Sequence, residues 1–300
     1  MPRYEALFSG LKGRIVRDEP LAKHTTYRIG GPAEVFVEPY GIDDLQRVVA
    51  YAHSQSLPLT VIGAGSNLLV SDQGLPGIVV KLGKGLSRIS VNGFYITAEA
   101  GARLSRITSI ACENGLGGLE FLAGIPASVG GAVAMNAGAH GSQISDFIRY
   151  VSVICEDGSI EQRCKDEIEF GYRQSSLQSE LVIIASATLE CFPKSPTLIR
   201  EETKAILDRR KRTQPLEYPS AGSVFKNPPG DTAGRLIEAA GCKGMSVGGA
   251  QVSLKHANFI VNTGTAKARD VRELIAKVRE RVYNKFGIHL ELEVKLLGKH

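Results

Sequence analysis

Several patterns that mark common protein classes are missing from this 300-residue chain. Its five cysteines, an odd number, include no C-x-x-C pair, which favours reduced thiols and a cytoplasmic protein over a disulfide framework. No apolar run approaches the ~20 residues that cross a bilayer, and the N-terminal stretch has no apolar core of a secretion signal. The histidines show neither H-x-x-H nor H-E-x-x-H spacing, so we predict no metal site.

The charge balance is mildly basic, with a net charge of +5 and a sequence pI of about 8.9. This suits an anionic small molecule, a nucleic acid or simply a slightly positive surface. No nucleic-acid-binding motif accompanies the charge, so we expect no nucleic-acid partner. The basic run at 209–212 ends a predicted helix over 200–215 that begins with acidic residues. We prefer complementation of the helix dipole there to a polyanion-binding patch.

Hydrophobic periodicity predicts a mixed chain of helices and strands. Helices are expected over 42–56, 103–115, 200–215 and 269–287, the last ending at a Gly287 cap. Three of them have a predicted apolar face, formed by Leu45, Val48, Val49 and Ala52 in the first, by Leu104, Ile107, Ile110 and Ala111 in the second, and by Val271, Leu274, Ile275, Val278 and Val282 in the last. Strands are expected over 33–39, 57–62, 77–82, 88–100, 150–163 and 181–189. Within 150–163, Asp157 and Gly158 predict a hairpin turn with positive φ at both central positions. The length allows two or three domains of roughly 100–150 residues.

Glycine is abundant, with 33 residues, and it is clustered. The turn that starts at Gly63 follows a predicted strand and resembles the start of a dinucleotide fingerprint, but Leu68 stands where the third glycine belongs. Eight more glycines lie within 115–141. Tight packing of loops on a sheet would explain such segments. Two of them in one chain favour backbone wrapped around an extended phosphorylated cofactor.

The stretch AGSVFKNP, residues 221–228, raises a different question. Ser223 and Lys226 lie three apart, yet the surroundings match no serine-nucleophile motif. From the residues alone, we favour a turn serine that makes a local backbone hydrogen bond. Lys226 is equally well explained as a solvated loop lysine and as a ligand contact.

Seven stretches together carry a family resemblance. They are HTTYRIGGPA (24–33), GAGSNLLV (63–70), FLAGIPASVGGAVAMNAGAHG (121–141), GYRQSSL (171–177), AGSVFKNP (221–228), GGAQVSLKHANFIVN (248–262) and ELEVKLLG (291–298). In this order they resemble the UDP-N-acetylenolpyruvoylglucosamine reductase (MurB) family. Only about 50 residues separate GYR from AGS, which resembles the short branch of that family.

The resemblance implies an α+β fold. A two-part FAD-binding domain of the PCMH/vanillyl-alcohol-oxidase type is expected, as subdomains 1–75 and 76–212. A smaller α+β substrate domain is expected at 213–300, with a C-terminal strand that carries Glu293. It implies non-covalent FAD, NADPH as hydride donor, and no obligate protein partner, nucleic acid or membrane insertion. The residues that it assigns to FAD are Gly63, Ala64, Gly65, Ser66, Asn67, Leu68, Gly124, Ile125, Pro126, Ser128, Val129, Gly130, Gly131, Ala132, Asn136, Ala137 and Gly138.

The implied reaction reduces UDP-N-acetylglucosamine enolpyruvate to UDP-N-acetylmuramate in peptidoglycan precursor synthesis. Arg173 matches the family's arginine, whose fork suits a carboxylate that gains negative charge. Glu293 matches its glutamate, and the resemblance selects it over Glu291. Beside a developing dianion Glu293 would be protonated, which requires a raised pKa. Ser223 matches the proton donor and is therefore a general acid.

The resemblance also implies substrate contacts at Lys226, Asn227, His256 and Lys295. Lys295 departs from the pattern, since arginine is common there, so a bidentate contact is not implied. Ala239 and Cys242 also depart from the usual residues, without touching the chemistry.

Two other functions are kept as alternatives. Another flavin oxidoreductase of the same fold, such as an alcohol or lactone oxidase, would leave Arg173, Ser223 and Glu293 without a role. A nucleotide- or nucleic-acid-binding module would be colourless and would bind polyanions in a strongly salt-dependent way.

Overall fold

The computed structural model describes residues 4–299. Its helices are α1 (Glu5–Gly10), α2 (Ile42–Ser54), α3 (Leu104–Glu113), α4 (Val129–Ala134), α5 (Pro196–Thr213), α6 (Ala233–Ala239) and α7 (Ala268–Phe286). Within the described range, no helix combines the length and the apolar character that would let it cross a membrane.

The strands are numbered β1 to β21 in chain order. From the N-terminus they are β1 (Arg14–Pro20), β2 (Pro32–Glu38), β3 (Leu59–Ile62), β4 (Leu68–Val70), β5 (Leu75–Lys81), β6 (Ile89–Asn92), β7 (Tyr95–Glu99), β8 (Leu116–Gly117), β9 (Gly138–Ala139), β10 (Ser142–Gln143), β11 (Ile148–Ile154) and β12 (Ile160–Cys164). There follow β13 (Phe170–Gly171), β14 (Gln174–Ser175), β15 (Ile183–Glu190), β16 (Phe192–Pro193), β17 (Ser220–Ser223), β18 (Ser246–Val247), β19 (Ala250–Val252), β20 (Phe259–Asn262) and β21 (Lys295–Leu297).

The chain folds into two compact units that do not follow sequence order. The first unit holds the residues up to Arg17, Val35–Ala64 and Gly77–Asp208; the second holds Asp18–Glu34, Gly65–Pro76 and the residues from Arg209 onward. The predicted division into 1–75, 76–212 and 213–300 therefore differs from these units in three segments, 18–34, 65–76 and 209–212. Residues 18–34 and 65–76 go with the C-terminal part because Tyr27, Ile29 and Leu69 are buried in its hydrophobic core.

The first unit is built around two sheets. One has the strand order β1-β2-β5-β3, in which β3 and β5 run parallel. The other is antiparallel, in the order β12-β11-β15-β7-β6. The predicted apolar faces of α2 and α3 are buried in the same core, at Leu45 and Val48 and at Leu104 and Ile107. Burial of these faces at about 25 cal/mol per Å² is the main force that holds the helices in place.

The second unit has an antiparallel sheet in the order β17-β20-β19-β18. The last strand, β21, pairs parallel with β4, with Lys295 opposite Leu68. Helix α7 buries its predicted stripe, which consists of Val271, Leu274, Ile275, Val278 and Val282. The predicted cap is confirmed as well, since Gly287 ends α7 in the left-handed conformation, with φ 66°.

Four local predictions are wrong in detail. The strand expected over 88–100 is a hairpin of β6 and β7, in which Asn92 pairs with Tyr95. The C-terminal strand expected to carry Glu293 begins only at Lys295.

The hairpin β11–β12 has a loop over 155–159, and only Gly158 has positive φ, 86°. The Asp157 carboxylate accepts from the Ser159 N–H at 2.9 Å and stabilises this longer loop. Helix α5 begins at Pro196, four residues early, so its first turn is not acidic. Proline suits a first helical position because it has no N–H to leave unpaired. The basic last turn is present.

Candidate active site

The first predicted cofactor loop starts at Gly63, directly after β3. A Cβ on Gly63 would lie 2.2 Å from Ser128 Oγ, and one on Gly131 would lie 3.6 Å from it. Ser128 is 1% exposed, and its hydroxyl has no hydrogen-bond partner among the described residues. Gly63 thus keeps space open around the buried Ser128 hydroxyl, whereas a Cβ on Gly131 would make only an ordinary contact with it. A buried hydroxyl without a partner costs free energy unless a water molecule or a ligand group completes its hydrogen bonding.

The same loop continues into the second unit at Gly65, which has φ 69°. A Cβ there would lie 2.1 Å from the His24 carbonyl oxygen, so only glycine fits. The Gly65 carbonyl accepts from the Thr26 N–H at 3.0 Å, and the Thr26 hydroxyl donates to the Ser220 carbonyl at 2.7 Å. The HTTYRIGG segment therefore fixes the loop and the start of β17 together.

The second predicted cofactor segment centres on α4. Gly124 has φ 77°, which requires glycine in practice, and a Cβ on Gly130 would lie 2.9 Å from Ala100 Cβ. Val129, Gly130 and Ala132 are buried. Ile125 and Gly131 are half-buried, and Pro126 is exposed. After α4, Asn136 has φ 42° and is 1% exposed. Its side-chain atoms bond to protein groups, which are described below.

Lys81 lies at the end of β5 beside the Gly63 turn. Its ammonium donates to the Gly63 carbonyl at 2.5 Å. Burial, and secondly Arg103, lower the pKa of Lys81 to about 8, while Glu38 opposes this shift. Sequence reasoning missed this residue, because the parallel pairing of Ile62 with Lys81 becomes visible only in the sheet.

These features fit a flavin dinucleotide in the first unit. A diphosphate needs hydrogen-bond donors, positive charge and close backbone approach, and this part of the unit has a buried hydroxyl at Ser128, an ammonium at Lys81 and a glycine at 63 where no Cβ fits. Parallel strands such as β3 and β5 bind ligands beyond their carboxyl ends, where Gly63 and Lys81 both lie.

Arg173 is placed by a tight hairpin in the first unit. The pairs Phe170–Ser175 and Gly171–Gln174 leave Tyr172 and Arg173 as the turn. Arg173 has φ 58°, an uncommon conformation for a residue with a side chain. Its Nη2 donates to the Gly138 carbonyl at 2.9 Å, and its guanidinium lies 5.0 Å from the centre of the Tyr172 ring. Backbone strain of this kind is concentrated at functional sites.

Ser223 ends β17 in the second unit, after an irregularity. The register shifts between Ser220 and Ser223, and Gly222 between them has φ 75°. A bulge of this kind turns the next side chain away from the regular alternation, and bulges are frequent beside active sites. The glycine directly before Ser223 is the sequence feature that could have predicted this bulge.

Glu293 lies close to Ser223 in the same unit. The Val224 carbonyl accepts from the N–H groups of Glu293, at 2.9 Å, and Val294, at 3.3 Å. Asn67, from the predicted cofactor loop, donates its side-chain N–H to the Glu293 carbonyl at 3.0 Å, and its own carbonyl accepts from the Lys295 N–H at 2.9 Å. Three stretches distant in sequence, around 67, 223 and 293, thus meet in the second unit.

Two of the predicted substrate residues bring positive charge to this region. The Lys226 N–H donates to the Glu291 carbonyl at 2.9 Å, and its ammonium lies 3.4 Å from the Glu291 carboxylate. Burial, and secondly the charge of Lys226, lower the pKa of Lys295. Two ammonium groups that repel each other are stabilised when an anion binds between or beside them.

The other two are tied into the fold of the second unit. The Asn227 Oδ1 accepts from the Ala233 N–H at 3.0 Å, at the start of α6. His256 Nδ1 accepts from the Asn258 N–H at 3.3 Å, which leaves its proton on Nε2. Burial lowers the pKa of His256, so its ring favours the neutral form.

Asn258 is a residue that sequence reasoning missed, although it lies within a quoted motif. It is 4% exposed, donates to the Phe225 carbonyl at 2.8 Å and accepts from the Phe225 N–H at 3.0 Å. These two bonds satisfy both backbone groups of Phe225, as pairing with a neighbouring strand would, and so fix the segment between Ser223 and Lys226.

Comparison with known proteins matches two family models to this chain. Residues 33–163 match a FAD binding domain, and residues 214–297 match the C-terminal domain of UDP-N-acetylenolpyruvoylglucosamine reductase. The reductase of Desulforamulus reducens is 48% identical over 98% of this chain and 97% of its own length. The reductase of Moorella thermoacetica is 48% identical over 98% of this chain and 96% of its own. The crystal structure of the Thermus caldophilus enzyme, MurB, has a TM-score of 0.83 at 38% identity, covering 95% of this chain and all of that one.

The fold and the site define an FAD-dependent oxidoreductase with an α+β fold and a flavin-binding domain of the PCMH/vanillyl-alcohol-oxidase type. The chain belongs to the UDP-N-acetylenolpyruvoylglucosamine reductase family. It reduces UDP-N-acetylglucosamine enolpyruvate to UDP-N-acetylmuramate with NADPH as the hydride donor, a step in the synthesis of peptidoglycan precursors. The alternatives of another flavin oxidase and of a binding module are thereby set aside.

Proposed function

We propose that Arg173, Ser223 and Glu293 carry out the reduction of the enolpyruvyl group, with Ser223 as the proton donor. The observation that supports this most directly is the pairing of the Ser223 and Glu293 segments in the second unit, where the Glu293 N–H bonds to Val224, the residue after Ser223. A bulge at Gly222 sets the direction of Ser223 away from regular strand geometry.

Bound FAD supplies the hydride that adds to the terminal alkene carbon of the substrate. Negative charge then moves into the carboxylate next to the alkene. Arg173 meets that charge with a two-point fork, which is worth most where water is excluded. Its strained backbone holds the guanidinium ready before the substrate arrives, so that little reorganisation is needed during the reaction.

Glu293, as a neutral carboxyl, donates a hydrogen bond to the same developing charge. Ser223 then delivers its hydroxyl proton to the carbon that bears the carboxylate and completes the saturation. A hydroxyl is a weak acid, but the intermediate is a strong base, so the transfer is favourable.

For the cofactor, we propose that the predicted loop residues from Gly63 to Leu68 and the segment from Gly124 to Gly138 hold FAD, with Asn136 contributing only its backbone because its side chain bonds to protein groups. Ser128 binds a phosphate or ribose oxygen of FAD with its unpartnered hydroxyl. For the substrate, Lys226 and Lys295 bind the diphosphate, which relieves their mutual repulsion. His256 donates from Nε2, and Asn227 supports the same loop through α6.

We further propose that the flavin is held mainly by residues up to 212 and the substrate by 213–300, and that the enzyme works in the cytoplasm. The five free thiols of Cys112, Cys155, Cys164, Cys191 and Cys242 suit a reducing compartment. No nucleic-acid or obligate protein partner is needed for this reaction.

The variant Ser223→Ala tests the central assignment. It should leave flavin reduction by NADPH within about twofold of the wild type and slow reoxidation by the enolpyruvyl substrate by roughly 10²-fold or more, the size of a lost general acid. Stopped-flow absorbance measures each half-reaction separately. Ser220→Ala, on the same strand, is the control and should change neither. Equal slowing of both half-reactions in Ser223→Ala would remove the proton-donor role.

A further inference from the structure

We propose that Asn136 is a positioning residue for Arg173, which fixes the hairpin β13–β14 so that the guanidinium points in the productive direction. This inference rests on the catalytic role proposed above for Arg173. From the sequence, Asn136 was assigned only to FAD. The hydrogen bonds of its side chain give it a different partner.

The Asn136 side chain is buried, and both its amide nitrogen and its amide oxygen form hydrogen bonds. Its Nδ2 donates to the Gln143 Oε1 at 2.9 Å and to the Gly171 carbonyl at 3.0 Å, while its Oδ1 accepts from the Ser145 N–H at 3.2 Å. A carboxamide is the short side chain that offers two N–H donors and an acceptor together. Asparagine also tolerates the left-handed backbone at this position, where φ is 42°.

The hairpin that receives this bond carries Arg173. Gly171 lies two residues before Arg173 and pairs with Gln174, directly across the turn. Two further bonds join the same hairpin to the same short segment: Arg173 Nη2 donates to the Gly138 carbonyl, and Ser175 Oγ donates to the Ala134 carbonyl, both at 2.9 Å. The segment 134–138 therefore holds the hairpin before, at and after Arg173.

Such a short hairpin depends on these external bonds. Strands of two residues have little stability of their own, and a left-handed arginine in the turn adds strain. The bond from Asn136 to the Gly171 carbonyl fixes the hairpin on the side of β13. If it is lost, the strained turn can relax, and Arg173 moves away from the charge that it stabilises.

The segment 134–138 directly follows α4, which is assigned to FAD. Flavin-binding backbone and the Arg173 hairpin therefore share one hydrogen-bond network in the first unit. Because the Asn136 side chain bonds to protein groups, its replacement should displace Arg173 without releasing FAD. This separates the positioning role from a cofactor contact.

The variant Asn136→Asp tests this sharply. It keeps the shape and the acceptor for the Ser145 N–H, but it replaces both donors with an anion that faces the Gly171 carbonyl. We expect normal FAD content, flavin reduction by NADPH within about twofold of the wild type, and reoxidation by substrate slowed by roughly 10²-fold, as for a displaced catalytic group. Loss of FAD, or equal slowing of both half-reactions, would overturn the inference.

A double-mutant cycle shows whether Asn136 acts through Arg173. With Arg173→Ala already present, Asn136→Asp should slow reoxidation by less than about twofold, since the group that it positions is gone. A full additional loss would overturn the inference while leaving the role of Arg173 intact. If Arg173→Ala alone does not slow reoxidation, the proposed catalytic role fails, and the inference fails with it.

Two further variants control for folding. Asp44→Ala removes a buried carboxylate that accepts from the N–H groups of Gly13 at 2.8 Å and Tyr40 at 3.0 Å, and it touches neither the hairpin nor 134–138. It should lower the unfolding midpoint and leave both half-reactions unchanged. If Asn136→Asp does not fold, Ser175→Ala removes one bond of the same hairpin. Severalfold slower reoxidation with unchanged reduction then supports the inference, and an equal effect on both overturns it.

Discussion

At the scale of single residues, Glu291 and Glu293 offer a natural comparison. They are two positions apart, and the sequence alone could not separate them by geometry. The Glu291 side chain is 77% exposed and lies beside Lys226, whereas Glu293 is half-buried and its backbone pairs with Val224, next to Ser223. A surface ion pair contributes little, so only Glu293 is expected to matter for the reaction.

We therefore expect Glu293→Gln to keep part of the activity, because an amide also donates a hydrogen bond, and Glu293→Ala to lose more of it. A loss of roughly 10²–10³-fold in substrate-driven reoxidation is the size expected when a donor to a developing oxyanion is removed. Single-turnover kinetics of each variant measure this, with Glu291→Gln as the matched control. A Gln variant slower than the Ala variant would contradict a neutral donor at this position.

The limits of sequence reasoning are also clearest for individual residues. Arg173, Ser223 and Glu293 could be assigned because each lies in a family motif with a recognisable order. Lys81 and the hairpin bond of Asn136 could not, because their partners depend on which strands and loops become neighbours. Periodicity describes one element at a time and carries no information about such pairings.

At the scale of elements, helix α7 is stabilised by a residue far away in sequence. The Asp72 carboxylate accepts from the N–H groups of Ala268 at 2.8 Å and Arg269 at 3.1 Å, at the helix N-terminus, within the second unit. These N–H groups have no partner within the helix, and the helix dipole favours a negative charge there.

Asp72→Ala should lower the free energy of unfolding by about 1–2 kcal/mol, as for the loss of a helix cap. Asp72→Asn keeps an acceptor oxygen and should lose less. Urea unfolding, monitored by circular dichroism, measures both. Equal stability of Asp72→Ala and the wild type would mean that water replaces the carboxylate without cost.

The helices and strands themselves were predicted well where one face is apolar. The stripes of α2 and α7 gave the correct elements, and Gly287 gave the correct end of α7. The start of α5 was missed because most of its residues are exposed, so no apolar face marks where it begins. The loop at Asp157 was missed because a side-chain bond to Ser159 competes with the two-residue turn.

At the scale of the whole molecule, the family assignment predicts a yellow protein whose cofactor is not covalently attached. Denaturation followed by filtration should release all of the FAD into the filtrate, and the filtrate of untreated protein should be colourless. Colour that stays with the precipitate would indicate a covalent tether. Added FAD should raise the unfolding midpoint. At a free FAD concentration 100 times the Kd, the free energy of unfolding should increase by about 2.7 kcal/mol.

The second unit is assembled from three separate stretches of chain, and its final strand, β21, pairs with β4. During synthesis, Gly65–Pro76 leaves the ribosome roughly 130 residues, and Asp18–Glu34 roughly 175 residues, ahead of the sequence that covers their apolar side chains. At roughly 5–20 residues per second, Tyr27, Ile29 and Leu69 wait for at least several seconds before their native neighbours emerge. A nascent chain that has not yet reached Lys295 therefore still lacks the strand that pairs with β4, and β4 stays without this parallel partner until then.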